Sequence, residues 1–399
     1  MARYEYYLID ESSKTSSGAI FFGSLSKREI ARQEHVTRWF VNRWTKSPDQ
    51  DLSEDGRGWK KNRGRSYTLR DERRVLDIHQ QLDNDAQVYF SGASAILHEY
   101  QQQYPAGKPL SLRFIGRILA KHGLSTKPKV RVKGASRYLH YPARLIDNLG
   151  ESILEMDFIG KKFIDGRTEP VNFIAFSLTK PRRLKHFQRV ESETASEAIA
   201  HCKRFFERFE KPEVVKVDNG FAFAGTAPQA RVLNSFALFL LQNKIIPVFT
   251  APRKPWNQAS IEGSNSIFSR KFWHRERYTS LDMIDSRLVV FNESYQRYLG
   301  YVAPGTKRSR TNRFIPKVFF IRKVYQDEQT KIAYIEILHE HIAVPKSFIG
   351  MFVLAEWNLK YGRLKIRYQN ETKATIIKER SFVLNQRTRK LGGSVLFVT

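Results

Sequence analysis

The chain has 399 residues, enough for about two to four domains with cores of their own. It carries 68 Lys and Arg against 40 Asp and Glu, and a formal net charge of +28 indicates a polyanionic partner. A nonspecifically basic protein, such as a ribosome-associated one, is the alternative. Cys202 is the single cysteine, which excludes intramolecular disulfides and zinc modules that need two cysteines. Because no run of about 18 apolar residues occurs, we expect no membrane partner and a cytoplasmic protein.

Residues 26–44 predict a first pair of helices within a domain spanning 1–66. The apolar residues have the spacing of a helix-turn-helix, and Thr37 is placed to cap the second helix. DNA contacts are expected from the exposed part of that helix, at Arg38, Trp39, Asn42 and Arg43. The turn contains Glu34-His35 where the motif usually has Leu-Gly, so an ordinary helical hairpin is the alternative. Residues 45–66 have the composition of a flexible linker.

A second helical unit, predicted for 67–144, contains helices at 72–82, 91–104 and 111–123. Arg113 and Arg117 lie one turn apart on the outer face of its last helix, which predicts a second helix-turn-helix that reads DNA. A small tethering bundle is the alternative. Residues 125–144 are basic and contain no acid, so Lys129, Arg131 and Lys133 are expected to contact phosphates, with a solvated linker as the alternative.

The stretch 145–300 predicts an α/β domain with one long succession of elements. Their order is three strands, helix, strand, helix, strand and helix, at 153–159, 171–176, 185–190, 194–209, 213–217, 231–243, 245–249 and from 257 onward. Asp157 lies on the first strand, Asp218 follows the fourth, and Glu262 lies one turn into a helix that Asn257 is placed to cap. No Asp or Glu occurs from 219 to 261.

The placement of these three acids resembles the RNase H-like fold of the DDE integrases and transposases. Two motifs carry the resemblance, the run Asp218-Asn-Gly and the run Pro255-x-Asn-Gln-Ala-x-x-Glu262. Both are most similar to the transposases of bacterial insertion sequences. The 43 residues from 219 to 261 exceed the family's usual spacing, and the extra length is expected near 222–229, because longer loops are tolerated at little entropic cost.

The resemblance implies a mixed five-stranded sheet and a catalytic site that holds two Mg²⁺ or Mn²⁺ ions. Asp157 would bridge both ions, Asp218 would bind one and Glu262 the other, since hard oxygen ligands select such cations. The next acid after Glu262, Glu276, is expected to lie too far along the chain to share the site. Arg182 and Arg183 in a basic hairpin, with Lys254 and Arg270, are expected DNA contacts. The alternative is three ordinary surface acids.

Residues 301–399 are predicted to form a basic linker and a small β-barrel. The stretch 294–326 has no acid, and Arg308, Arg310 and Arg313 within it are expected to contact DNA phosphates. Alternating apolar residues predict strands at 332–337, 352–356, 364–368 and 375–378. The pattern resembles the SH3-like C-terminal domain of the family.

The function implied by the resemblance is that of a transposase. It would bind the ends of its own mobile element, cleave them and join the freed 3′-OH groups to target DNA. Its partners would be double-stranded DNA and further copies of itself in a synaptic complex, within the nucleoid of a prokaryote. A noncatalytic DNA-binding regulator derived from a transposase, and a nuclease that cleaves without joining, are the alternatives.

Overall fold

A computed structural model describes residues 26–33, 35–45, 67–125, 141–225, 230–252, 258–303, 314–370 and 373–385. The chain divides into two compact units, Met1–Tyr67 and Thr68–Thr399. The finer division into four domains stays a prediction. None of the helices in the described part of the chain is both long enough and apolar enough to cross a membrane.

The described part of the first unit contains two short helices, α1 (Lys27–Gln33) and α2 (Arg38–Thr45). Ile30, Ala31 and Val41 are buried against each other, with Val36 packed beside them. His35 between the helices has a φ of 51°, a left-handed conformation that glycine adopts more easily. The pair of helices predicted from the spacing is therefore present, and its role in DNA recognition stays a prediction.

The second unit begins with three packed helices, α3 (Leu69–Asn84), α4 (Ala93–Gln103) and α5 (Leu112–Lys121). Helix α3 starts earlier than the predicted residue 72, because Thr68 and Asp71 form a capping box there. Ser111 caps α5 by accepting the N–H of Phe114. A short helix, α6 (Ala143–Asp147), precedes the sheet.

A nine-stranded mixed sheet forms the centre of the second unit. Twelve strands are described in this unit: β1 (Ile153–Lys162), β2 (Val171–Lys180), β3 (Leu184–Val190), β4 (Val214–Val217), β5 (Ile246–Phe249), β6 (Lys317–Lys323), β7 (Tyr325–Gln326), β8 (Ala333–Ile337), β9 (Glu340–Ala343), β10 (Phe352–Asn358), β11 (Arg363–Gln369) and β12 (Ala374–Ser381). The order in the large sheet is β12-β11-β10-β6-β5-β4-β1-β2-β3, and β7, β8 and β9 form a second sheet. Strands β1, β4, β5 and β6 are parallel neighbours.

Helices cover both faces of the sheet. They are α7 (Ala195–Arg208), α8 (Phe221–Ala224), α9 (Ser235–Gln242), α10 (Ala259–Ile267), a π-helix (Phe268–Trp273) that continues α10, and α11 (Leu281–Tyr298), with a 3-10 turn at Lys346–Phe348. Helices α7 and α9 share one apolar core with the sheet, whereas α10, the π-helix and α11 share another. Helix α9 starts at 235 instead of the predicted 231, because Asn234 caps it by accepting the N–H of Ala237.

The C-terminal strands extend the core sheet, so the predicted five-stranded sheet is too small. Strand β6 was assigned to the basic linker, yet it pairs in parallel with β5 through Phe319 and Phe320. Strands β10, β11 and β12 then continue the sheet to its edge. The described strands therefore do not close into the predicted SH3-like barrel, because the apolar faces of β6 and β10 pack into the core shared with α7 and α9.

Candidate active site

Asp157 and Asp218 come together through the pairing of β1 with β4. The parallel register is one to one and ends with Glu155 opposite Lys216. Asp157 and Asp218 each lie two residues beyond this last pair, and the negative charge of Asp218 helps to raise the pKa of Asp157. Asp218 is the first residue after β4, as predicted, and its carboxylate accepts the backbone N–H of Gly220 at 2.9 Å.

Glu262 reaches the same region from helix α10, in the first turn of that helix. The helix packs against β1 and β2, and its buried Ile261 faces the sheet. Asn265, one turn after Glu262, donates its side-chain N–H to Asp157 at 2.8 Å. The residue before the helix, Gln258, makes no side-chain cap, and the predicted cap Asn257 lies outside the described residues.

The three carboxylates share one electrostatic environment. Burial raises the pKa of Asp157 to about 7, and the negative charges of Asp218 and Glu262 contribute, against a lowering hydrogen bond from Asn265. Burial also raises the pKa of Asp218. Burial and the charge of Glu155 raise the pKa of Glu262. A nearby cation would relieve the repulsion that Asp218 and Glu262 exert on Asp157.

The donor set fits a hard divalent cation, although it is not assembled as a coordination shell. Within the described residues, no three His, Cys, Asp or Glu side chains are close enough together to hold a metal ion. Beside Asp157, however, the side-chain oxygen of Asn265 is buried with no hydrogen-bond partner among the described residues. Carboxylate and amide oxygens are the donors that Mg²⁺ and Mn²⁺ prefer. The residues therefore suit such an ion in charge and chemistry.

The raised pKa of Asp157 predicts a pH-dependent stability for the metal-free protein. Between 3.8, its ordinary value, and about 7, the folded protein holds a proton that the unfolded chain has released. The contribution of Asp157 to the free energy of unfolding should therefore fall as pH rises through this window. Because Asp218 and His186 also have shifted pKa values, the contribution is measured as a difference between wild type and Asp157→Asn, by urea unfolding in chelator at several pH values. Asp165→Asn, at an exposed position after β1, is the control. An unchanged pH dependence in the Asp157→Asn protein would contradict the assignment.

A buried ion pair that the sequence did not reveal lies beneath the carboxylates. Lys216 on β4 contacts Glu155 on β1 at 3.0 Å, and each side chain is 8% exposed. The second carboxylate oxygen of Glu155 accepts the backbone N–H of Ile261 at 3.0 Å. Because the first four N–H groups of a helix lack partners within it, Glu155 supplies from the sheet a cap for α10. The sequence offers one indication of this pair, because Glu155 and Lys216 are each a charged residue within an apolar strand.

A second buried lysine also holds the start of α10. Lys185 on β3 donates to the carbonyl of Ser260 at 3.1 Å and to its hydroxyl at 2.7 Å, and it contacts the hydroxyl of Ser177. Burial lowers the pKa of Lys185 to about 8. Two lysines and one glutamate therefore fix the first turn of the helix, which carries Glu262.

The structure describes some of the residues that the sequence predicts to contact DNA. Arg38 and Trp39 on α2 are exposed and Asn42 is half-buried, while Arg113 and Arg117 lie exposed on α5, Arg182 and Arg183 in the hairpin after β2, and Arg270 on the π-helix. The side chain of Arg43, together with Lys129, Arg131, Lys133, Lys254, Arg308, Arg310 and Arg313, lies outside the described residues. DNA contact stays a prediction for all of them.

Comparison with known proteins gives distant similarities only. No protein-family model and no curated protein matches the chain. A chain from a simian T-cell lymphotropic virus intasome, bound to the PP2A regulatory subunit B56 gamma, is 14% identical with a TM-score of 0.31, covering 73% of this chain and 99% of that one. The catalytic core domain of BIV integrase is 15% identical with a TM-score of 0.27, covering 40% and 90%.

The NurA nuclease of Sulfolobus solfataricus is 9% identical with a TM-score of 0.17, covering 62% of this chain and 73% of that one. The first of these similar structures is an intasome and the second an integrase core, and no transposase is among the three. TM-scores this low do not show a shared fold. The proposals below therefore rest on the residues and contacts of this chain.

Proposed function

We propose that the protein is a DNA transposase that binds the ends of a mobile element, cleaves there and joins the freed 3′-OH groups to target DNA. The observation that supports this most is the meeting of Asp157 and Asp218 on neighbouring strands with Glu262 on the helix packed against them. The net charge of +28 supports a nucleic-acid substrate. Further copies of the chain would assemble with the two element ends.

Asp157, Asp218 and Glu262 would hold two Mg²⁺ or Mn²⁺ ions, which when bound would activate an oxygen nucleophile and neutralise charge on the phosphate. The protein's own part is to place these carboxylates. Asn265 orients Asp157, and the backbone of Gly220 orients Asp218. No protein nucleophile is required, and Cys202 is unsuited to be one, because burial raises the pKa of its thiol.

Incubation of purified protein with labelled DNA from both flanks of its coding sequence, in Mg²⁺ and with a target plasmid, tests this proposal. Joined products that need both the flanking DNA and the metal are the expected result. Nicked flanks without joining would support a nuclease instead. Specific binding without any cleavage, in Mg²⁺ or Mn²⁺, would contradict the enzyme and support the regulator.

The helical unit of α3, α4 and α5 predicts where part of the binding specificity resides. Arg113 and Arg117 are exposed on one face of α5, whose opposite face buries Ile115 and Leu119. Since a good base-edge contact is worth about 1 to 3 kcal/mol, Arg113→Ala or Arg117→Ala should reduce discrimination between element ends and random DNA by about 5- to 150-fold.

Fluorescence anisotropy with both DNA types measures that ratio. Lys121→Ala on the same helix is the matched control, because Lys121 is paired with Glu72 at 2.7 Å. Equal losses for element ends and random DNA would show that the two arginines contact phosphates instead of bases.

A further inference from the structure

Arg322 is a buried charge that the proposed chemistry does not use. It lies on β6, and only 8% of it is exposed. It belongs to the acid-free stretch 294–326, yet its side chain is buried within the protein. Its position next to β5 brings it to the end of the sheet that carries Asp218.

Among the described residues, the groups that accept hydrogen bonds from the guanidinium of Arg322 are neutral oxygens. Its Nε donates to the carbonyl of Glu336 at 2.8 Å. One terminal nitrogen donates to the carbonyls of Thr250 at 2.9 Å and Ile321 at 2.8 Å, and the other donates to the side-chain oxygen of Asn219 at 2.9 Å. Every nitrogen of the group therefore has a partner, and none of these partners is a carboxylate.

Burying the charge of Arg322 costs free energy, so strand β6 would be stabilised better by an uncharged side chain. Burial lowers the pKa of Arg322 to about 10, so the group is still charged at neutral pH. The negative charge of Glu336 offsets only part of the free energy lost when this charge is taken out of water, and an apolar side chain of similar shape would avoid that loss. The groups that Arg322 holds in place explain why an arginine is present at this position.

Those groups belong to the turn that carries Asp218. Asn219 also donates its side-chain N–H to the carbonyl of Thr250, and the backbone N–H of Thr250 donates to Val217 at 2.9 Å. Arg322, Asn219 and Thr250 thus form a closed set of hydrogen bonds, called here the Arg322 clamp. Both polar atoms of the Asn219 side chain are engaged in it, directly beside Asp218.

We propose that Arg322 is a positioning residue for the candidate active site. It acts through Asn219 to fix the backbone from which Asp218 extends. The C-terminal strands are in consequence part of the framework of the site and not an appended module. This inference rests on the proposed function, with Asp218 as a metal ligand.

Four variants of the full chain test the clamp: Arg322→Met, Asn219→Ala, the double variant, and Arg363→Met, at the exposed first residue of β11, as control. Two quantities are measured, the single-turnover rate of DNA joining and the amide hydrogen exchange of peptides covering 214–224. Since small displacements at a reacting centre reduce rates by about 100-fold, each clamp variant should lose about that much. The double variant should lose no more than either single one, because the residues act as one unit.

Hydrogen exchange separates failure of the clamp from failure of the proposed function. Faster exchange in 214–224 is expected for Arg322→Met and Asn219→Ala but not for Arg363→Met, whether or not the wild-type protein joins DNA. If Arg322→Met does not fold, Asn219→Ala carries the test, because that side chain is only partly buried. Wild-type exchange in a folded clamp variant would overturn the proposal, as would rate losses that multiply in the double variant.

Discussion

Glu262→Gln should abolish DNA cleavage and joining while leaving DNA binding unchanged, and so should Asp157→Asn and Asp218→Asn. The amide keeps the size of the side chain but removes the charge that would hold a divalent ion. Stabilisation of charge by such an ion is worth several kcal/mol, and about 1.4 kcal/mol corresponds to a tenfold change in rate. Each variant should therefore lose at least about 100-fold in the rate of joining, measured with preformed protein–DNA complexes.

Glu276→Gln is the control for Glu262→Gln. Glu276 lies beyond the end of the π-helix and is paired with Arg287 at 3.3 Å, so we expect it to have no part in the site. Its substitution should leave cleavage and joining near the wild-type rate. If the Glu276→Gln protein were inactive and the Glu262→Gln protein active, the identity of the third carboxylate would be wrong.

Glu155→Met should destabilise the protein strongly, because it removes the carboxylate that pairs with the buried Lys216. Breaking a buried ion pair by removing one member costs about 3–5 kcal/mol. Lys216→Met should have a similar effect on the free energy of unfolding, measured in urea. The double variant should recover most of the loss, since an apolar pair of similar volume fits the space. Glu379→Met, which removes surface pairings with Arg363 at 3.2 Å and Lys365 at 3.7 Å, should cost less than about 1 kcal/mol.

Activity separates the two roles of Glu155. The double variant restores packing but leaves the backbone N–H of Ile261 without its acceptor, so the start of α10 should be less well fixed. Recovered stability with a joining rate still at least about tenfold below wild type is the expected result. Recovery of both quantities would show that Glu155 contributes to stability alone.

The sequence was informative wherever a structure is encoded locally. The Asn-Gly pair after an apolar strand predicts the turn at Asp218. Residues a few positions before Glu262 predict the start of the helix that carries it. Ile261 and Phe268 lie seven residues apart, a spacing that keeps them on one face of a helix, and both are buried. These features depend on neighbours in the chain, so the order of strands and helices around the site was predictable.

Pairing over long distances was not predictable. Strand β6 pairs with β5, although the two strands are separated by about 70 residues in the sequence. The basic residues at the ends of β6 are typical of a linker. Glu155 meets Lys216 61 residues away, and Arg322 meets Asn219 103 residues away. A charge within a strand gives no sign of which distant group neutralises it or accepts its hydrogen bonds. The framework of the candidate site therefore became visible only in the structure.

The most direct test of the proposed metal site is electron paramagnetic resonance of the wild-type protein with bound DNA and Mn²⁺. Two ions about 3.5 to 4 Å apart are magnetically coupled, so the spectrum should show a coupled pair. Glu262→Gln and Asp157→Asn should each abolish the coupling, whereas Glu276→Gln should keep it. A wild-type complex that binds no Mn²⁺, or a coupled pair that persists in the Asp157→Asn protein, would contradict the assignment of Asp157, Asp218 and Glu262 as the metal ligands.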